Sequence, residues 1–373
     1  MREGWVEKRF DEVFSLQMGK TPDRKNFSLF EGDNIWVSIK DLEDKYISSS
    51  KECISDEAAS NINIVKSGTV IMSFKLTIGK CAIAATDLYT NEAIMAFNTN
   101  DGYEIDSSFL YYYLQGYEWE GLNNAVMGLT LNKSTISKHK ISFPTILIQQ
   151  AIASELDMIT EMISKYDEQL KELDKLSQSI FYEMFGDPVE NEKGWEVKII
   201  SDVSTYFNGV AHEQDIDDDG EFTLINSKFI STNGKVQKRT NKQRFPLLKN
   251  DLTMVLSDVP NGKALAKCYL VNEDNKYSLN QRICCFRGYE GAPLFFKYVV
   301  NRHQYFLSFN DGKGQTNLRK GDVEKMPIIL PPLPLQQSFA RKIEAIEAMK
   351  SKVKEAKKEA ETLLAARMQY WFE

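Results

Sequence analysis

Residues able to do catalytic chemistry are few in this chain and poorly placed. Its three histidines, His139, His212 and His303, lie far apart, and no motif couples any of them to a serine or cysteine nucleophile. The stretch "HEQDI" at His212 lacks the second histidine that a zinc-protease helix needs. "MGKTP" contains Gly-Lys-Thr, but Phe14 stands where a phosphate-cradling loop needs its first glycine. The run "DIDDDG", Asp215 to Gly220, imitates the opening of a calcium loop, yet its twelfth position is Asn226 instead of glutamate. It is expected to be a solvated acidic loop. "ENEK", with Glu190 and Glu192, offers the Glu-x-Lys of nucleases but has no placed aspartate. No Gly-rich dinucleotide motif and no Asp/Asn-Pro-Pro-Tyr/Phe tetrapeptide occurs. The pattern predicts a binding protein with no catalytic residues and no metal site.

Side chains suited to nucleic acid are more coherent. "GKVQKRTNKQRF", Gly234 to Phe245, holds Lys235, Lys238, Arg239, Lys242 and Arg244 without an acid. Its amides Gln237, Asn241 and Gln243 are of the kind that reads base edges, while cations hold phosphates. "GKTPDRKN" gathers Lys20, Thr21, Arg24 and Lys25, and "NDGKGQTNLRKG" gathers Lys313, Gln315, Thr316, Arg319 and Lys320. Thr130, Asn132 and Lys133 occupy the stretch of the first half that matches the last of these. Lys75, Lys80 and Lys263 complete the candidate DNA contacts. One basic loop is ordinarily a solvated face; recurrence at matching positions is what points to DNA.

The matching positions belong to a repeat of about 187 residues. "GWVEKRFDEVFSLQMG" answers "GWEVKIISDVSTYFNG", "NEAIMAF" answers "NQRICCF", and "GLTLNK" answers "GQTNLR". "FPTILIQQ" answers "LPPLPLQQ", and "IFYEMF" answers "RMQYWF". Their common order marks a duplicated unit, a domain and then a helix, twice. Short apolar runs such as "GTVIMSF", "EAIMAF" and "LTMVLS" predict strand-rich domains, with one short helix each at "SSFLYYYLQG" and "PLFFKYVVN". The boundaries are a first domain over 1–143, a helix over 144–185, a linker over 186–193, a second domain over 194–332 and a second helix over 333–373.

Both helices carry a 4-3 seam. Ile152, Leu156, Ile159, Ile163, Tyr166, Leu170 and Leu173 form the first, and Phe339, Ile343, Ile346, Lys350, Val353, Lys357 and Ala360 the second. Two lysines weaken the second seam for self-association. Pairing of the two helices is expected instead, the lysine stems covering apolar surface while their heads reach acids. About 36 residues make a rod of roughly 54 Å.

Composition bounds the rest. A chain of 373 residues, 42% apolar and 27% charged, has room for two domains with cores of their own. No apolar run approaches membrane-spanning length. Cys53, Cys81, Cys268, Cys284 and Cys285 form no CxxC pair, which predicts reduced, mostly buried thiols in a cytoplasmic protein. A net charge of −7 argues against DNA binding until its distribution is counted. Met1 to Phe143 holds 15 basic and 20 acidic side chains, but Gly194 to Pro332 holds 19 and 16, so the second domain is the more basic. Its Lys235–Arg244 run has no apparent counterpart in the first domain.

The paired Gly-Trp starts, "GKTP" followed by "NIWVSIKDL", the paired "NEAI" and "NQRI", and "PTILIQQ" with "PPLPLQQ" resemble the DNA-specificity (S) subunit of type I restriction–modification systems over nearly the whole chain. The resemblance implies an α+β protein with two mixed α/β target-recognition domains in tandem, each followed by a long helix, the two helices packing as an antiparallel coiled coil. It implies a non-catalytic subunit that binds a bipartite, asymmetric site in double-stranded DNA and directs two methyltransferase subunits and restriction/translocase subunits to it. No cofactor is expected in this chain; S-adenosylmethionine, ATP and Mg would sit on the partners. The family's usual Glu-Gln is Gln-Gln here in both copies, which predicts slightly weaker capping where Gln149 and Gln336 open the helices. Rival readings are a specificity subunit with a fused methyltransferase/nuclease partner, a coiled-coil scaffold, and an independent nuclease.

Overall fold

Each repeat is fastened at its two ends by one strand pair. Val6–Arg9 pairs antiparallel with Lys140–Phe143, and Glu196–Ile199 with Pro327–Leu330. The residues after each Gly-Trp start therefore lie beside those that lead into each long helix. The computed structural model describes residues 2–119, 123–125, 128–260 and 262–373, with 123–125 and 128–130 described by backbone alone.

The first main sheet runs in the order Phe14–Met18, Ile94–Thr99, Val70–Ser73, Cys81–Ala84, Tyr46–Ile47. The second runs Thr205–Asn208, Ile283–Arg287, Leu252–Val255, Cys268–Leu270, the same order without a fifth strand. Strand alternation sends side chains to opposite faces. Val70, Met72, Ile83, Met95 and Phe97 join one core with Phe109, Ile152 and Leu156, while Ile71, Ala82, Ala84, Ile94 and Ala96 join another. Leu252, Met254, Cys284 and Phe286 are divided from Val255, Ile283 and Cys285 in the same way. With both faces covered, the central strands Val70–Ser73, Cys81–Ala84, Leu252–Val255 and Ile283–Arg287 are mostly apolar, which is why they stand out in the sequence. The glycines that close the first matched segments are needed for close approach. A Cβ at Gly19 would lie 2.0 Å from the Thr90 carbonyl oxygen, and one at Gly209 1.8 Å from that of Asn280.

Two compact units result, Met1–Asp167 with Glu355–Glu373, and Glu168–Lys354. The long helices are Ile146–Phe185 and Leu333–Phe372. Each helix thus gives one half to each unit, and the last residues of the chain complete the first unit's core. Within the first unit, Ile152, Leu156 and Ile159 are buried and Ile163 and Tyr166 half-buried. Arg367 pairs with Glu155, and Lys357 Nζ lies 2.6 Å from Asp167. Positions rise on one helix as they fall on the other, so the segments run antiparallel. Within the second unit, Phe339, Ile343, Ile346 and Val353 are buried and Leu170 and Leu173 half-buried. Phe339 meets Phe181 and Phe185, and Lys350 Nζ lies 2.6 Å from Asp174, again antiparallel. Both seam lysines reach acids on the first helix, as their positions predicted.

Lys350 is 8% exposed, whereas its acceptors Asp174 and Glu347 are 69% and 52% exposed. Burial works against its charge, but the two carboxylates hold its pKa above the ordinary lysine value. Lys350→Met would remove a buried cation and strand no buried partner. It is expected to leave stability unchanged or raise it by about 1 kcal/mol, measured by thermal unfolding; a loss above about 2 kcal/mol would show that the ion pair itself stabilises the helix contact.

The helices begin at Ile146 and Leu333, one turn before the Gln-Gln pairs, so Gln149 and Gln336 do not open them. Instead both side chains are buried clamps. Gln149 Oε1 accepts from the Asp106 N–H (2.9 Å), and its Nε2 donates to the carbonyls of Glu104 (3.0 Å) and Pro144 (2.9 Å). Gln336 Oε1 accepts from the Ala292 N–H (3.1 Å) and the Tyr289 hydroxyl (2.9 Å), and its Nε2 donates to Pro331 O (2.8 Å). Asp106 and Ala292 are the N-caps of the short helices Ser107–Gly116 and Pro293–Val300. Each glutamine therefore ties its long helix to the short helix of the same unit. Weaker capping is not what the amide brings: a carboxylate here would face the Pro144 or Pro331 carbonyl.

Candidate nucleic-acid interface

Neighbouring strands at the centre of each main sheet are antiparallel, so four strand ends fall together. In the first unit these are the C-terminal ends of Phe14–Met18 and Val70–Ser73 and the N-terminal ends of Ile94–Thr99 and Cys81–Ala84. Loops 19–26, 74–80 and 91–93 consequently share one end of the sheet. Lys75–Leu76 pairs there with Gly128–Thr130, placing Lys75 opposite Thr130. The second unit repeats the construction: Ser257–Asp258 leaves the end of Leu252–Val255 and pairs with Thr316–Asn317. Leu131 and Leu318 donate their N–H groups to Phe74 and Leu256 (2.9 and 2.8 Å), so Lys133 corresponds to Lys320. That is one residue away from the match of "GLTLNK" with "GQTNLR".

Of the first unit's candidates, Lys20, Lys25, Lys80 and Lys133 are exposed. Lys75 is half-buried over the Phe74 ring. Thr21 hydrogen-bonds Glu92, and Asn132 accepts from Thr135 N–H (2.8 Å) as the N-cap of Lys133–Lys138. The side chain of Thr130 lies outside the described residues. Arg24 is not free for phosphate: it forms a two-pronged contact with Glu52 (2.5 and 2.9 Å) and lies over Phe30 and Trp36.

In the second unit Lys235, Lys238, Lys263, Lys313, Gln315 and Arg319 are exposed. Lys320 lies 3.6 Å from Glu324, and Thr316 is buried and unavailable. The basic run is largely committed to folding. Asp215 takes Arg244 and, at 3.6 Å, Lys242; Arg239 Nη1 donates to Gly220 O (3.1 Å). Gln237 donates to Gly234 O, Asn241 to Asp217, and Gln243 to the carbonyls of Asn275 and Tyr277. The three amides expected to read bases are loop fasteners, and the "DIDDDG" loop gives Asp215 and Asp217 to the basic run while Asp217, Asp218 and Asp219 stay exposed, as expected of a solvated acidic loop.

The basic run does have a counterpart. Arg239–Thr240 pairs with Phe222–Ile225 as Glu52–Ile54 pairs with Asn34–Val37. Arg24 with Glu52 ties the preceding loop to this strand, and Asp215 with Arg244 ties the matching loop to the segment just after Arg239–Thr240, with the signs exchanged. His212 is a folding residue as well, its ring nitrogens held by Val210 O (2.7 Å) and Ser278 Oγ (2.8 Å). Among the described residues, no cluster of three or more His, Cys, Asp or Glu could hold a metal ion. Nor is any described helix long and apolar enough to cross a membrane. Cys81, Cys268, Cys284 and Cys285 are buried, and burial pushes their thiols up; Cys53 is partly exposed.

Two α+β units, each presenting exposed cations on loops at one sheet end and each holding antiparallel halves of the two long helices, fit a tandem DNA-recognition protein. The family model described as the type I restriction modification DNA specificity domain matches twice, over residues 2–174 and 192–362, and the chain belongs to that family. Its role is recognition of DNA sequence, two tandem domains fitting a bipartite site, and it targets other subunits without catalysing a reaction itself. The specificity subunit of the type I restriction enzyme MjaIX from Methanocaldococcus jannaschii is 25% identical over 370 residues, covering 90% of this chain and 85% of its own. The crystal structure of the type I S subunit from M. genitalium shares the fold with a TM-score of 0.55 at 12% identity, over 98% of this chain and 95% of that one. A chain from a structure describing complex assembly and conformational transition of the type I R-M system gives a TM-score of 0.64 at 15% identity, over 100% and 98%.

Proposed function

We propose that the two units read the two unlike halves of a split, asymmetric DNA site, and that the long helices dock two methyltransferase subunits, which restriction/translocase subunits join. One observation carries the reading: the same sheet-end loop cluster is built twice, on different residues. Exposed cations at that end, among them Lys20, Lys80 and Lys133 in one unit and Lys263, Lys313 and Arg319 in the other, suit phosphate contacts that position the duplex. Docking of protein partners is supported by apolar side chains left open on the helices, including Leu147, Met158, Met162, Leu333 and Leu363. S-adenosylmethionine, ATP and Mg would be bound by those partners, in the cytoplasm. A modified-base map of DNA from cells expressing the chain with its methyltransferase tests this. A split asymmetric motif that vanishes when this chain is deleted is the expected result. No motif, with the methyltransferase active on DNA by another route, would remove the reading.

A further inference from the structure

The two loops that leave the central strand at the sheet end are equivalent in position and unlike in content. Phe74 and Leu256 each donate their N–H to the strand beside them, at Ala93 O (3.0 Å) and Arg282 O (2.9 Å). Cys81 and Cys268 pair with Met72 and Met254 at the return. Between these anchors the first unit spends six residues and the second eleven.

Each tip is held by one polar side chain at its base. In the first unit the buried Ser73 hydroxyl donates to Thr77 O and accepts from the Lys80 N–H (3.1 Å). In the second the Asp258 carboxylate accepts from the N–H groups of Val259 (2.9 Å), Ala264 (2.6 Å) and Leu265 (3.1 Å). Both fastened loops leave an aliphatic side chain in solvent four residues ahead of an exposed lysine: Leu76, before Lys80, is 55% exposed, and Val259, before Lys263, is 63% exposed. Single exposed aliphatics are common and usually mean nothing. Here they recur on equivalent loops, one register position apart, since Leu76 matches Asp258, the residue before Val259; and Leu76 has φ +65°, a conformation that an aliphatic residue adopts at a cost.

We infer that Leu76 and Val259 are base-contacting residues, each pressing on the apolar edge of a base, such as a thymine methyl, in its own half-site. The flanking lysines hold the adjacent phosphates. This rests on the two-unit recognition reading and goes further by naming the contact in each unit.

Leu76→Gly separates a reading role from a folding one. Glycine takes φ +65° without strain, so the variant is expected to melt at or above the temperature of the parent. In cells carrying the chain with its partner subunits, methylation should then loosen at one or two adjacent positions of one half-site. Discrimination there should fall by about 5- to 150-fold, with the other half unchanged. Val259→Ala should do the same in the other half. A motif identical to the parent's in both halves overturns the inference, as does loosening of both halves by one substitution. Absence of a split motif with the unaltered chain would instead overturn the recognition reading itself.

Discussion

Gln336→Leu is expected to destabilise the second unit by about 3 kcal/mol, lowering Tm by roughly 6–12 °C. Leucine nearly conserves the volume, so the effect isolates the hydrogen bonds. Gln336 is 4% exposed and serves three groups: the Ala292 N–H, the Tyr289 hydroxyl and the Pro331 carbonyl. Removing the amide strands a buried backbone donor and a buried backbone acceptor, and each costs about 1–3 kcal/mol when no water can replace the partner. A cleft lined by Tyr289, Gly291, Leu333 and Gln336 opens beside the amide, and water entering from it sets the lower end of that range. Gln149→Leu should behave alike in the first unit, where Gln149 is fully buried and bonds Asp106, Glu104 and Pro144. The neighbouring Gln150 and Gln337 are exposed, and leucine at either should change stability by less than about 0.5 kcal/mol. Calorimetry on the four single variants checks this. Equal effects at Gln336 and Gln337 would sink the clamp.

Features set by local periodicity were legible in the sequence. The buried strands announce themselves as apolar runs because both their faces are covered. The seam positions of the long helices identified even the role of Lys350 and Lys357, since a lysine at a core position can only extend its head to an acid beside the seam. Partners across loops were not legible. Nothing local to "GKTPDRKN" says that Arg24 will be taken by Glu52, twenty-eight residues on, or that Asp215 will take Arg244 by the equivalent route. Reading each stretch alone assigns Arg24 and Arg244 to DNA and Asp215 to solvent. The exchange of signs hid the correspondence between the two small sheets. The glutamine clamps were half legible: the repeat isolates the Gln-Gln pair, but only the fold distinguishes the buried amide from its exposed neighbour. Two long helices following two domains likewise suggest that each helix belongs with its own domain, whereas each unit takes half of both.

That exchange of halves has a large consequence at the C-terminus. A chain ending at Lys354 is expected to lose the ordered first unit while retaining the second, because Glu355–Glu373 packs with Met1–Asp167. Leu364, Met368, Trp371 and Phe372 pack on the core formed by Phe109, Tyr113 and Leu156. The Phe372 ring lies 5.6 Å from Phe109 and 5.5 Å from Tyr113. Arg2 lies over Tyr370 at 4.4 Å and donates to the Trp371 carbonyl, so the first residues of the chain hold the last. Glu155 accepts from Arg367 and from Trp371 Nε1 (2.9 Å), and the Arg367 contact holds its carboxyl below the usual range. A depressed carboxyl pKa stabilises the folded state at neutral pH, and the contribution fades as pH falls through the carboxylate range. A fully buried large aromatic lost from a core costs about 3–5 kcal/mol; Trp371 and Phe372 are half-buried, but they leave together with Leu364, Met368 and the Arg367–Glu155 pair, and the sum approaches the whole stability of a typical domain. Limited proteolysis of the shortened chain should cut throughout 1–167 and spare 168–354. Equal resistance of both segments would show that the first unit holds without its C-terminal helix half.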